Sequence, residues 1–396
     1  MDENEITLRK KAVCLWLRGV PKSEIARRLG RPRLWVHRWI SRYQPDDPEA
    51  SLGNRSRAPK CPHRQYPEEI RQLTLNSRKA RQEGQSPGYR YALVSAEAIY
   101  YELRELDISP LPPPGTIHSW LKQAGLVQPK AAEAEEERPS KPYPKPPQEG
   151  VNDLHELDLK GPFYLSGSPQ KYYVVALRDA CSKRVALDVL CDRRMETMID
   201  FLMVAWGKLG CPKRLQMDNG LEFRGSNRYP RSLSQFTRVC LDLGVEPVFV
   251  PPREPWRNGV IENLNGLLDN LWLNREHFKD YPHLRASANE VEVAINTTHR
   301  LPALDGRTPT EFVADAWLRP LPSGYDWRKR DLRLVKGKVS FIRLVRKSGR
   351  ITLCANDKFE IGQEYQWQYV LAIVDVAANR LDIYHQTQLV KSFEYR

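Results

Sequence analysis

The chain has 396 residues, with 62 Lys plus Arg against 49 Asp plus Glu and a formal net charge of +13. At roughly 100–200 residues per domain, it holds about two to four domains. Its hydrophobic content of 41% and charged content of 28% exclude wholesale disorder, and its longest uncharged apolar runs, such as Phe201–Gly207, fall far short of the roughly 20 residues that cross a bilayer.

The excess of positive charge points to a polyanionic partner, and nucleic acid is the first candidate. The N-terminus opens MDENEITLRKK, and its apolar stretch Ala12–Leu17 is too short and wrongly flanked for a secretory signal. The expectation is a cytoplasmic protein held at the nucleoid through DNA. The 7 Cys form no CxxC pair and the 8 His are dispersed, so the sequence carries no zinc-ribbon or thioredoxin signature.

Residues 1–50 read as a helix-turn-helix. Ile6, Leu8, Ala12, Val13, Leu15, Trp16 and Leu17 recur at helical spacing. Ser23–Leu29 makes a short second helix, Gly30 a turn, and Pro32 opens a third helix where a missing N–H is harmless. Ile25, Leu29, Val36 and Trp39 are the expected core. Arg31, Arg33, His37, Arg38 and Arg42 are left outside, a set of donors suited to the major groove. A plain three-helix bundle with a solvated basic face is the alternative. Residues 51–65 are a basic linker whose Arg55, Arg57 and Lys60 are candidates for tracking a phosphate backbone.

Residues 66–129 read as a second helix-turn-helix-like domain. Thr116 or Gly115 is the expected cap of its last helix, Ile117, Trp120 and Leu121 face inward, and His118, Ser119 and Lys122 face DNA. Residues 130–150, rich in Pro and Glu, are an extended spacer. Residues 151–325 alternate strand and helix signals: β-rich runs at Leu154–Leu159, Tyr172–Leu177 and Arg184–Leu190, a helix at Met195–Leu209, a strand at Lys213–Met217, a helix near Leu233–Leu243, a strand at Glu246–Val250 and a helix at Val260–Leu273. That order predicts a mixed sheet with helices on its faces. Residues 326–396 switch to short strands separated by Gly, Asn and Asp turns and predict a small β-barrel. The fold class is therefore multidomain α+β.

Three carboxylates stand where such a sheet builds sites. Asp158 is within the first strand, Asp218 ends another before Asn219-Gly220, and Glu262 starts the helix opened by Asn258-Gly259. Clustered carboxylates repel unless cations sit between them, and oxygen-only ligation with open positions suits Mg²⁺, with Mn²⁺ as substitute. Two such ions can activate an attacking oxygen and stabilise a leaving one in phosphoryl transfer. Arg257 and Asn258, with Lys160 and Asn265, are candidate DNA contacts beside the metals. Asp153 reads as a turn residue, Asp179 as a hairpin cap and His155 as buried behind Asp158. Asn219 is expected to orient the site, and Glu222 to be structural.

The segments LHELDLKGPF, RLQMDNGLEF, PPREPWRNGVIENLNGLL and the later TPTEF resemble, in order, the DDE transposases and retroviral-type integrases, above all bacterial insertion-sequence transposases with an integrase catalytic core. The resemblance implies an RNase-H-like core, an SH3-like C-terminal barrel, and catalysis by Asp158, Asp218 and Glu262 with two Mg²⁺ ions. The paired His and Cys of a retroviral-integrase zinc domain are absent from the sequence. The family's usual spacing of 35 residues after the second Asp selects Glu254, while 43 residues separate Asp218 from Glu262. Glu262 is the choice: it sits in NGVIEN on a helix, and Glu254 lies between prolines. The turn-rich stretch Gly225–Ser232 accounts for the extra residues. His299 and Arg300 resemble a family position that packs against the core.

The implied function is a DNA transposase that binds terminal inverted repeats, cuts the ends and joins them to target DNA as a homo-oligomer, with an accessory ATPase left open as a partner. No Walker-type GxxxxGK[ST] loop occurs in the chain itself. Two alternatives stand beside it: a non-catalytic DNA-binding regulator, and an RNase-H-type nuclease acting on RNA–DNA hybrids.

Overall fold

The computed structural model describes residues 2–54, 66–84, 86–127, 142–225, 231–354 and 357–395. The chain divides into two compact units, Met1–Gln65 and Tyr66–Arg396. In the first unit, α1 (Asp2–Leu17), α2 (Lys22–Leu29) and α3 (Arg33–Arg42) form the expected trio, followed by a short α4 (Pro48–Leu52). Gly30 ends α2 at φ 62, a left-handed conformation open to glycine without a Cβ penalty. Ala12, Ile25, Val36 and Ile40 close the core, while Trp39 turns instead to Val13 and Leu52.

The second unit opens with α5 (Glu68–Glu83), α6 (Ala96–Glu105) and α7 (Pro114–Gln123), packed around Ile99, Leu103, Ile117 and Leu121. The start of α7 departs from expectation. Pro113 takes the N-cap position and Pro114 the first turn, so Gly115 and Thr116 lie inside the helix. Proline has no N–H to leave orphaned there, and no side-chain cap forms. These helices are fastened to the sheet domain: Tyr91 Oη donates to Glu276 at 2.7 Å, Arg90 Nε to the same carboxylate at 2.9 Å, and His299 Nε2 meets the Tyr91 carbonyl at 2.7 Å.

The core begins with β1 (Leu154–Tyr164), β2 (Lys171–Asp179) and β3 (Val185–Leu190), an antiparallel meander. Next come α8 (Met195–Leu209), β4 (Arg214–Met217), α9 (Leu221–Arg224), α10 (Gln235–Asp242) and β5 (Glu246–Phe249). β4 lies parallel to β1, and β5 parallel to β4. α11 (Gly259–Leu268) runs on as a π-helical turn through Leu273, and α12 (Tyr281–Thr297) and α13 (Pro309–Phe312) follow. Alternate residues of β2 serve opposite faces: Val175 and Leu177 pack beneath α8 and α10, Val174 and Ala176 beneath α11 and α12.

The C-terminal segment corrects the sequence reading. Its strands are β6 (Lys338–Leu344), β7 (Arg350–Thr352), β8 (Lys358–Glu360), β9 (Tyr369–Asp375), β10 (Arg380–His385) and β11 (Gln388–Glu394). Among the described residues they close no barrel. β6 pairs parallel with β5, and the nine-stranded sheet runs β11-β10-β9-β6-β5-β4-β1-β2-β3, with β7 and β8 as a separate ribbon. The physical reason is the edge of β5. Its unpaired backbone would otherwise be exposed, and Phe341 stacks on Phe249 with ring centroids 5.0 Å apart to seal the junction. Val339, Phe341, Val370, Ala372 and Ile383 then share one apolar core with Leu215 and Met217.

Candidate active site

Parallel pairing sets the first two acids. Leu154, His155 and Glu156 of β1 are level with Arg214, Leu215 and Gln216 of β4, so the same register carried two residues on brings Asp158 level with Asp218. Neighbouring strands lie about 4.8 Å apart, which makes the two backbones adjacent. Glu262 stands on the first turn of α11, its N–H bonded to the Asn258 carbonyl at 2.9 Å. Asn265, three residues on and so on the same helix face, donates from Nδ2 to Asp158 Oδ2 at 2.6 Å. That bond lays the Glu262 face of α11 over Asp158.

The electrostatics register this convergence. The Asp218 carboxyl is raised, foremost by removal from water, then by the charges of Glu222 and Asp158; the Gly220 N–H, at 2.8 Å, and Arg193 pull the other way. Glu262 is raised as well, by its surroundings first and by Asp158 second. Asp158 thus acts on both other acids.

The donor chemistry is that of a hard divalent cation: carboxylate oxygens only, with the charge of Asp158 disfavouring ionisation of the other two. Oδ1 of Asn265 adds a buried oxygen with no hydrogen-bond partner beside Asp158. Among the described residues, no three His, Cys, Asp or Glu side chains are gathered closely enough to hold a metal ion.

Glu254, the choice under the usual spacing, is occupied elsewhere. Its Oε2 accepts from Tyr369 Oη at 2.7 Å and from Arg257 Nε at 3.2 Å. Asn219 bridges Asp218 to the rest of the sheet, donating to the Val250 carbonyl at 2.6 Å and accepting from Arg343 at 2.7 Å. Asp153 takes the Gly150 N–H at 2.8 Å in a turn, and Asp179 caps its hairpin through the Ser182 N–H at 2.8 Å. His155 is fully buried against Asn152 at 2.8 Å, as its place in the strand implies.

Several expected DNA contacts are placed differently. Asn258 is 4% exposed and accepts from Gln216, so its side chain faces the interior. Arg257 lies over the rings of Tyr143 and Tyr369, at 4.2 and 4.8 Å, and pairs with Glu254; cation–π contact and a carboxylate hold it to the protein. Lys160 pairs with Asp269. Arg31 pairs with Glu5, and Arg42 donates to the Gly53 carbonyl at 3.0 Å while covering Trp39. Arg33, His37 and Arg38 remain exposed on α3, and His118, Ser119 and Lys122 on α7. Arg55, Arg57 and Lys60 lie outside the described residues.

Residues the sequence reading passed over surround the acids. Glu156 is 3% exposed on the Asp158 face of β1, where burial pushes its carboxyl up to about 7 against the pull of the Ile261 and Val260 amides and of Arg178. Arg178, level with Glu156 on β2, is lowered by burial to about 10 and donates to the Val260 carbonyl at 3.2 Å. In a strand of period 2 Glu156 shares the Asp158 face, and an acid at a position that the strand buries is the signal the sequence offers.

Residues 243–309, which include Glu262, match the family described as integrase core domain, and residues 4–51 match the homeodomain-like domain family. The two matches, each over a short stretch of the chain, support a place in the integrase and transposase superfamily. Comparison with curated protein sequences finds no match. Similar solved structures include the HTLV-2 integrase catalytic core domain in complex with magnesium, trimeric form (22% identity, 41% of this chain and 95% of that one, TM-score 0.32). Others are the simian T-cell lymphotropic virus intasome in complex with the PP2A regulatory subunit B56 gamma (17%, 72% and 90%, TM-score 0.37) and the BIV integrase catalytic core domain (16%, 42% and 95%, TM-score 0.32).

Proposed function

We propose that the protein is a DNA transposase, a DDE-type polynucleotidyl transferase. The observation that carries this reading is geometric: the level register of β1 with β4 brings Asp158 beside Asp218, and the Asn265–Asp158 bond lays the Glu262 face of α11 over Asp158. In this reading Asp158, Asp218 and Glu262 hold two Mg²⁺ ions, for which Mn²⁺ substitutes. Ions held there would favour deprotonation of the attacking oxygen and neutralise charge on the leaving one. Asn265 orients Asp158, and Asn219 orients the turn that carries Asp218.

The α3 face with Arg33, His37 and Arg38 reads the element ends, with His118, Ser119 and Lys122 of α7 as a second contact. Water attacks the end phosphodiester, the bond to the 3′ oxygen breaks, and that oxygen leaves as a hydroxyl. The hydroxyl then attacks a target phosphodiester, displacing a second 3′ oxygen and joining the strands. Pairing two ends requires at least two copies of the chain. An accessory ATPase remains an open partner in target choice.

The test uses duplexes taken from the DNA that flanks the reading frame. Mg²⁺-dependent nicking and strand joining are expected from the wild-type chain and lost to background in D158N, D218N and E262Q. Specific binding without cutting would favour the regulator, and cutting confined to RNA–DNA hybrids the nuclease.

A further inference from the structure

Each candidate acid has a buried polar residue one step behind it. Along a strand, residues two apart share a face. Glu156 therefore backs Asp158 on β1, and Gln216 backs Asp218 on β4. On α11, Asn258 precedes Glu262 by one turn. The three are buried, at 3%, 3% and 4% exposure, and they are bonded to one another. Gln216 Nε2 donates to Asn258 Oδ1 at 2.8 Å and reaches Glu156 Oε1 at 3.4 Å. Glu156 Oε2 accepts the Ile261 N–H at 2.9 Å, one residue before Glu262.

A helix leaves its first N–H groups without internal partners, and an acidic side chain from another element is a strong acceptor for them. The Asn258 side chain makes no capping bond to α11. The cap comes instead from β1, through Glu156. The same side chain that shares a face with Asp158 thus fixes where the helix of Glu262 begins, and Gln216 ties both to the strand of Asp218. A carboxylate is costly to bury, and an apolar side chain would pack this spot without that cost. Packing alone therefore does not account for Glu156.

We infer that Glu156 and Gln216 are positioning residues, a buried knot that ties together the three elements carrying Asp158, Asp218 and Glu262, so that a divalent cation draws the acids in from elements already joined. The inference rests on the function proposed above. Hydrogen-bonded groups behind a ligand set carry about a 10–100-fold effect on metal affinity or activity.

The experiment uses the full chain, with Mn²⁺ alone as the metal probe. Titration calorimetry gives its affinity for wild type, E156M, E156Q and Q216M, and nicking kinetics give kcat and KM for DNA. Circular dichroism and duplex binding by the N-terminal helices check folding. The expected result is Mn²⁺ binding weakened at least 10-fold in E156M and Q216M, kcat lowered comparably, and KM for DNA unchanged. E156Q, which keeps one acceptor for the Ile261 N–H, recovers part of both. Should E156M not fold, Q216M decides alone, since it removes the links to Asn258, to Glu156 and to the Arg257 carbonyl and leaves the Glu156 cap in place. Mn²⁺ affinity and kcat within twofold of wild type in the folded variants would overturn the positioning role alone. A wild-type chain that neither takes up Mn²⁺ nor cuts DNA overturns the proposed function, and the positioning role with it.

Discussion

Arg343, on the first strand of the C-terminal segment, donates from Nη2 to Oδ1 of Asn219 at 2.7 Å, and Asn219 stands next to Asp218. Arg343 is 2% exposed. Its other N–H groups go to the carbonyls of Thr352 at 2.9 Å, Leu353 at 3.1 Å, Val250 at 3.1 Å and Ile342 at 2.9 Å. The C-terminal segment thus helps to hold the turn on which a candidate ligand sits.

Replacing Arg343 by Met takes a donor from each of these acceptors, of which the Val250 carbonyl keeps Asn219. Each orphaned group costs about 1–3 kcal/mol, so R343M is expected to lose on the order of 3 kcal/mol or more. Lys cannot supply a planar fork and should rescue little. Urea denaturation of the full chain measures both. A midpoint for R343M equal to wild type would show that the network contributes nothing.

Deleting residues 337–396 should give an insoluble or unfolded core. β6 covers the edge of β5, and Val339, Phe341 and Val370 complete an apolar cluster shared with the central strands. Uncovering that edge creates a template for intermolecular pairing. An independent barrel would leave a soluble, cooperatively melting remainder, which gel filtration and thermal melting would reveal.

Two buried histidines make stability fall in mild acid. Burial lowers His155 to about 3 and His299 to about 4, from an ordinary value near 6.5. Between those values the unfolded chain takes up protons that the folded one refuses. Their contribution is therefore whole above about pH 6.5 and declines as pH drops toward 4, with His155 continuing to about 3. In H299Q, unfolding midpoints between pH 6.5 and 4 should fall less steeply than in wild type. Parallel curves would remove His299 from the account.

Glu254 and Glu262 should separate cleanly. E254Q weakens the bonds to Arg257 and Tyr369 and is expected to lower stability by about 1 kcal/mol while nicking continues. E262Q is expected to leave stability near wild type and abolish nicking. The reverse pattern would transfer the third ligand to Glu254.

On α3, R33A and R38A should weaken binding to the element end. Each should also lower the salt dependence of binding by about one ion for every phosphate that the missing guanidinium neutralised. R42A should act on stability instead, since Arg42 covers Trp39 and bonds to Gly53. Binding titrations at several salt concentrations, with melting curves alongside, distinguish these outcomes.

Local signals carry far in this chain. Period-2 and helical patterns located α8 and β5 within a residue of their ends and β1 at its start, because strand and helix spacing are properties of neighbouring residues, while β1 runs on to Tyr164. The same patterning put His155 behind Asp158 and made Asp179 a cap. Two acids at a strand and a strand end, and a third on a glycine-opened helix, were legible because each sits in its own short stretch. The fate of a side chain was not, where it depends on what arrives from afar. Arg257 and Asn258 read as contacts for DNA, yet Tyr143 and Tyr369 cover the first and Gln216 binds the second.

The residues themselves determined the strands of the last segment, and the tertiary structure decided which edge they join. Alternation states that one face is apolar; it cannot say whether that face closes on itself or extends a sheet begun far back in the chain. The open edge of β5 and the stacking of Phe341 on Phe249 settle it, since pairing there buries both an unpaired backbone and two aromatic rings. Short motifs likewise proposed Asp158, Asp218 and Glu262, but the level register of β1 with β4 and the cap from Glu156 to α11 are what join the three elements that carry them.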